Sequence, residues 1–323
     1  MDTKPRWISG KELAAMKPAS RDALIENLLP EQGLILLSAD PKAGKSTFAL
    51  ELCRAICTGE PALEHFQPKQ GAALYWMADD TAQARFVRNY QEVFAGVEDS
   101  PFESLLARMP LCGEGALELR SAIARSGAKL AVIDCLTSIR SEREQDFVRQ
   151  EYEEMRLLAD LAAEQSCCIL LLHHKATGKR NNGDNPFRLT AGSFAASTGP
   201  DGLMVLDWLK ATRPERFVTF VSRDLDPLSF LYARDPQTRR LFYIGGEGWD
   251  EHWDDALRAY RAERTGTLDS AVLATILDAT ERTARSRLAV WRTAGLVEET
   301  GRHSYVWSNQ FMAAAERLIG GAQ

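Results

Sequence analysis

The chain has 323 residues, 45% of them hydrophobic, which is enough for one large α/β domain and a small one. A formal net charge of −6 excludes a surface coated in basic residues, although a pore or a single face can still be locally positive. Six cysteines without a Cys-x-x-Cys pair argue against a zinc site or disulfide framework. No apolar signal run opens the chain, and no stretch nears the ~20 residues of a membrane span, so a soluble, cytoplasmic protein with no membrane partner is expected.

Residues 1–30 read as an N-terminal arm, with a short helix over Trp7–Met16 and Ser9 as its N-cap. Leu34–Leu37 is an apolar strand running into Ser38-Ala39-Asp40-Pro41-Lys42-Ala43-Gly44-Lys45-Ser46-Thr47, and a helical pattern follows to Gly59. This is the strand–loop–helix of a P-loop, with Ala39 where the pattern G-x-x-x-x-G-K-[ST] has its first Gly. Buried strands then end in polar tips: Ala72–Ala78 before Asp79-Asp80, Lys129–Ile133 before Asp134, and Cys167–Leu172 before His173-His174-Lys175. Helices fill the intervals at Thr81–Phe94, Glu114–Ser126 and Glu151–Gln165, and Leu105–Leu111 is a further short strand. Strands alternating with helices predict a parallel sheet covered on both faces, with ligands beyond the strand C-termini. After a polar loop at 176–192, Leu203–Trp208, Phe217–Ser222, Phe230–Ala233 and Leu241–Ile244 read as successive antiparallel strands at one edge. Residues 31–245 thus form an α/β domain and 246–254 a linker. Residues 255–323, with helices at Leu268–Leu277 and Thr280–Ala294 and a hairpin around Thr300–His303, form a small winged-helix domain.

The P-loop predicts a nucleoside triphosphate, ATP, bound by Asp40, Pro41, Lys42, Ala43, Gly44, Lys45, Ser46 and Thr47. Its backbone N–H groups would meet phosphate oxygens, Lys45 would reach the β- and γ-phosphates, and Ser46 would hold Mg²⁺. Asp134 ends an apolar strand as a Mg²⁺-associated aspartate does. Asp79, ahead of Asp80, is the candidate for orienting the attacking water, with capping of the next helix as the alternative role. His173 and His174 alternate faces, and one of them should sense the γ-phosphate. Lys175, Lys179, Arg180 and Arg188 make the 175–192 loop basic, suited to single-stranded DNA phosphates. Arg140 and Arg143 form a weaker candidate, diluted by Asp146. Arg282, Arg285 and Arg292 share one face of a C-terminal helix and could meet DNA phosphates, although Glu281, Glu298 and Glu299 nearly cancel the charge and make a protein contact an equal contender.

With these residues in view the chain resembles the RecA-like ATPases of the RepA type, plasmid and phage replicative helicases grouped as an AAA domain. The resemblance rests on Ile25–Gly33 leading into the P-loop, Leu74–Asp80, Val132-Ile133-Asp134, Leu171–His174, and Gly192-Ser193 followed by Asp201. It implies a homo-oligomeric ring, a hexamer, with ATP at subunit interfaces and translocation on single-stranded DNA. It also implies a neighbour-supplied arginine, for which Arg223 is nearest, with Arg213 and Arg216 behind it. The family's catalytic carboxylate is Glu, where Asp79 stands here. The winged helix would add a contact to duplex DNA or a replication protein. Two other readings are an ATP-switched DNA-binding regulator and a helicase-loading or recombination ATPase.

Overall fold

The computed structural model describes residues 7–16, 22–140, 147–175, 199–210 and 213–320. Its organising strand is β3 (Gly33–Ala39), every residue of which is buried. On one side β3 pairs in parallel with β7 (Cys168–His174), followed by β6 (Leu130–Asp134), β4 (Ala73–Met77) and the edge strand β5 (Phe102–Leu106), all parallel. On the other side β8 (Gly202–Trp208) is also parallel to β3, and β9 (Arg216–Ser222), β10 (Leu228–Arg234) and β11 (Leu241–Gly245) continue antiparallel. The expected mostly parallel sheet with antiparallel edge strands is therefore present. The four strands from β8 to β11 are successively antiparallel, as the sequence suggested, and join the parallel part through β8, which runs parallel to β3. The edge strand lies at Phe102–Leu106 rather than over Leu105–Leu111.

Alternation along the strands divides the interior into two layers. Ile35, Leu37, Leu170 and Leu172 face the layer that holds Phe48, Leu52 and Ile56 of α2 (Lys45–Thr58) and Phe86 of α3 (Gln83–Val93). Leu34, Leu36, Ile169 and Leu171 face Leu119 and Ile123 of α4 (Ala116–Ser126), Leu136 and Ile139 of the short α5 (Leu136–Ile139), and Met155, Leu158 and Leu161 of α6 (Phe147–Gln165). A strand buried on both faces must be apolar at every position, which is why these strands read as unbroken runs.

The N-terminal segment divides into two. The helix α1 (Gly10–Ala15) is capped by Ser9, which accepts from the Glu12 N–H while Glu12 accepts from the Ser9 N–H, and it buries no residue. The hairpin of β1 (Ala23–Ile25) and β2 (Leu29–Pro30) instead belongs to the main core, with Leu24, Ile25, Leu28 and Leu29 fully buried. The α/β body thus starts before residue 31.

The expected linker at 246–254 is corrected more sharply. Trp249 opens the helix α7 (Trp249–Ala262), and Trp249, Trp253, Ala256, Leu257 and Tyr260 are buried at helical spacing. Trp253 is wholly buried, donates from Nε1 to Glu215 Oε1 at 2.9 Å and meets Phe311 edge-on. A third core runs from Leu231, Phe242 and Ile244 of the sheet through α7 into α8 (Ser270–Leu277), α9 (Glu281–Thr293), the hairpin β12 (Val297–Gly301)–β13 (Ser304–Trp307), and α10 (Asn309–Gly320). The helix–helix–hairpin order expected of the C-terminal unit is present, with Thr280 accepting from the Thr283 N–H as N-cap of α9.

Trp253→Ala should therefore cost about 3–5 kcal/mol in denaturant unfolding, as loss of a buried aromatic does. A change near zero would return this segment to the status of a linker.

Candidate functional site

β3 ends at Ala39, and the chain turns through Asp40–Gly44 into α2. The turn needs left-handed backbone at Lys42 (φ 67°) and Gly44 (φ 98°), but not at Ala39, so Ala in place of the pattern's first Gly introduces no backbone strain. Gly44 is the N-cap of α2 and provides no side-chain cap, so the N–H groups of the first turn are left for a ligand.

Lys45 is buried and folded back over the loop. Its ammonium donates to the carbonyls of Ala39 at 3.2 Å and Asp40 at 3.4 Å, and lies 3.2 Å from His174 Nδ1. Burial lowers the Lys45 pKa, opposed by the charges of Asp134, Cys135 and Asp40. Burial, and after it the charge of Lys45, hold His174 below its ordinary value. A neutral His174 accepts from Lys45 through Nδ1 and carries its proton on Nε2.

Beside this pair, Ser46 Oγ donates to Asp134 Oδ2 at 2.6 Å, and the buried Tyr75 hydroxyl donates to the same oxygen at 2.8 Å. The arrangement follows from register. Met77 pairs with Asp134 across β4 and β6, and Tyr75 with Val132, so Tyr75 and Asp134 share the α2 face. Burial foremost, then the Asp134 charge, raises the Tyr75 pKa, keeping it a donor.

Asp79 lies just beyond β4. Its Oδ1 accepts both from the Thr81 N–H at 2.9 Å and from Thr81 Oγ1 at 2.7 Å, capping the short turn Asp80–Ala82. Asp79 also lines a cleft of about 510 Å³ together with Gly44, Lys45, Ser46, Asp134 and His174. Asp80 is exposed, accepts from Gln83 Nε2 at 3.0 Å and does not line the cleft. Capping and cleft thus both fall to Asp79. Arg85 and Asn89, one turn apart on α3, complete the wall opposite the P-loop.

Several expected site residues lie elsewhere. His173 points to the opposite face of the sheet, with Ile169 and Leu171, and is buried away from the cleft, so of the two only His174 lines it. Lys175 is no surface cation. It is buried in an ion pair with Asp207 of β8, and its N–H donates to the Ala39 carbonyl at 3.0 Å. Lys179, Arg180 and Arg188, like Arg143, Asp146 and Gly192-Ser193, fall outside the described residues. Arg223 follows β9 at the end of the sheet where β3 begins, opposite the P-loop. It pairs with Asp201 Oδ1 at 3.0 Å, while Asp201 Oδ2 accepts from the Leu34 N–H at the entrance to β3. Arg213 is taken up by Glu215 and Asp254. Arg216 lies against the chain's own P-loop, donating from Nε to the Ala43 carbonyl at 3.3 Å. On α9, Arg292 is paired with Glu299 and Arg287 with Asp255, which leaves Arg282 and Arg285 exposed without an ion pair among the described residues.

Sequence reading missed Tyr75, Arg85, Asn89 and Cys135 at this site, and it offered Arg216 for a neighbour's site rather than for the chain's own P-loop. The signal for Tyr75 was its place two residues before the end of a strand whose tip had already been marked; Arg85 and Asn89 carried only their helical spacing after Asp79.

No group of three or more His, Cys, Asp or Glu side chains able to hold a metal occurs among the described residues. The converging oxygens of Ser46 and Asp134 do fit Mg²⁺, which takes one or two protein oxygens and completes its shell with phosphates and water.

His174 should titrate below 6.5, and Lys45→Met should move its midpoint upward, though not fully, since burial remains. Because the folded-state value lies below the unfolded one, this group's contribution to stability is complete above pH 6.5 and is lost as pH falls through the folded value. Imidazole resonances followed against pH decide it; a midpoint at or above 6.5 contradicts the Lys45–His174 contact.

Comparison with known proteins places this geometry in a family. The model of the AAA domain family (AAA_25) matches residues 4–181, more than half of the chain. Among solved structures, one described as an ATPase domain superposes with a TM-score of 0.52 at 13% identity, over 66% of this chain and 84% of that one. A DnaB-like replicative helicase, solved in a study of its interactions with primase, gives a TM-score of 0.51 at 12% identity, over 65% of this chain and 58% of that one. At such identities the likeness is one of fold. Among curated proteins no sequence matches. With its P-loop, its strand-tip carboxylates and the matched stretch 4–181, the chain belongs to the AAA domain family.

Proposed function

We propose that the chain is a Mg²⁺-dependent ATPase that works as a ring-forming, RepA-type replicative helicase on single-stranded DNA. The observation that carries the ATPase reading is the 2.6 Å hydrogen bond joining Ser46 to Asp134 inside the cleft that also holds Lys45 and Asp79. Lys45, resting on two loop carbonyls, has acceptors to exchange for β- and γ-phosphate oxygens. Asp79 spends Oδ1 on Thr81, and its Oδ2 is available to orient a water for in-line attack. His174, neutral and in contact with Lys45, can donate from Nε2 to the γ-phosphate. Mg²⁺, when bound, supplies charge neutralisation on the phosphates, and Ser46 and Asp134 are the residues that would hold it.

The ring and the DNA are supported by the family resemblance and by fold likeness to an ATPase domain and a DnaB-like replicative helicase. Arg223, exposed at the end of the sheet opposite its own P-loop, suits a residue that would serve a neighbouring copy. The C-terminal unit reads as a winged helix, and its surface supports two uses. Arg282 and Arg285 would meet DNA phosphates, whereas the neutralising pairs Arg292–Glu299 and Arg287–Asp255 favour a protein contact.

Lys45→Ala should abolish ATP turnover, and Asp79→Asn should lower kcat about 10²–10⁴-fold, as loss of a positioned base does, with ATP binding kept. Turnover retained in the Lys45 variant would remove the P-loop assignment. Arg282→Ala with Arg285→Ala should weaken duplex binding and reduce its salt slope by about two. An unchanged slope assigns the C-terminal unit to protein contact. DNA-stimulated turnover with strand displacement is expected of the whole chain; turnover that rises only with a partner protein points to a loader.

A further inference from the structure

The P-loop carries a contact that the nucleotide chemistry does not use. Arg216, at the start of β9, donates from Nε to the carbonyl of Ala43 at 3.3 Å. Its guanidinium lies over the Trp208 ring, 3.4 Å from the centroid, and its NH1 donates to the carbonyls of Arg213 at 2.8 Å and Glu215 at 3.0 Å. The head group is thus fixed by stacking and by three carbonyl acceptors, a geometry that suits a planar, forked cation. Burial lowers its pKa, opposed by the charges of Tyr232 and Glu215.

The consequence lies in the peptide unit it holds. The Ala43 carbonyl and the Gly44 N–H are two ends of one planar trans peptide, so they point in opposite directions. A carbonyl drawn towards Arg216 turns the Gly44 N–H away from it. Gly44 lines the nucleotide cleft and, at φ 98°, has no side chain to fix its orientation. We propose that Arg216 is a positioning residue of the nucleotide site: by holding the Ala43 carbonyl it aims the Gly44 N–H at the phosphates. The proposal rests on the reading of this cleft as a nucleotide site.

The perch of Arg216 is itself braced from beyond the sheet. Glu215 is buried and accepts from Trp253 Nε1 and from Arg213, and Arg213 also pairs with Asp254 of α7. The same residues that seat the C-terminal unit thus carry the support of the P-loop.

ATP affinity and steady-state turnover of Arg216→Gln and Arg216→Lys in the full chain test this. Arg216→Gln should raise Kd and KM for ATP about tenfold, the worth of one hydrogen bond from a charged donor. Its kcat at saturation should stay within about twofold, since the interaction serves ground and transition states alike. Arg216→Lys keeps the charge but not the stacked fork and should fall between the two; it also decides the question should Arg216→Gln fail to fold by circular dichroism. ATP binding as tight as wild type in Arg216→Gln overturns the proposal. So does wild-type affinity in Arg216→Lys, which would reduce the role to charge alone. Absence of ATP binding by the wild type would instead sink the nucleotide reading.

Discussion

The hydrogen bond from Ser46 to Asp134 spans a gap that the sheet imposes. β3, which delivers the P-loop, and β6, which delivers Asp134, are separated by β7. The first turn of α2 must therefore lie across the tip of β7 to bring the hydroxyl to the carboxylate. That crossing puts Lys45 beside His174 at the end of β7, and leaves Asp79, at the next strand tip, as the far wall. The cleft gathers the P-loop after β3, His174 of β7, Asp134 of β6 and Asp79 beyond β4, so the order and register of these four parallel strands set the site's geometry. The buried Tyr75 hydroxyl supplies a second donor to Asp134, fixing which of its oxygens faces Ser46.

The same sheet carries the link to the rest of the chain. Its antiparallel strands end in a third core shared with α7 to α10, so the C-terminal unit is joined by packed surface rather than by a tether. Arg317 of α10 strengthens the joint. It forms a bidentate pair with Glu64 at 2.8 Å, pairs also with Asp235, and lies over Phe242 at 4.1 Å. Exposed pairs of this kind contribute little singly, but a fork held over an aromatic ring between two carboxylates is a network. Motion of the C-terminal unit would thus be felt at β11 and at the turn after β10.

Much of this was legible in the sequence, for physical reasons. Strands buried on both faces read as unbroken apolar runs, and their polar tips stand out against them, so the P-loop, Asp79 and Asp134 could be placed by position alone. The pairing of β8 with β3 could not, because an apolar run carries no sign of its neighbour. The choice between His173 and His174 depends on which face of β7 meets α2, and that is fixed by pairing with β3 rather than by local pattern. Residues 246–254 read as a linker, although Trp249, Trp253, Ala256, Leu257 and Tyr260 stand at helical spacing. Lys175 looked like the first cation of a basic loop until β8 brought Asp207 against it. Arg216 stood only among the candidates for a neighbour-supplied arginine, since the acceptor in its own P-loop lies 173 residues earlier.

The most direct measurement is calorimetric titration of ATP into the protein with Mg²⁺ and again with the metal chelated. Binding of one ATP per chain, with a dissociation constant of about 1 μM–1 mM and weakened by chelation, is the expected result. Absence of binding at millimolar ATP, or binding indifferent to Mg²⁺, would contradict a nucleotide site built on Lys45, Ser46 and Asp134.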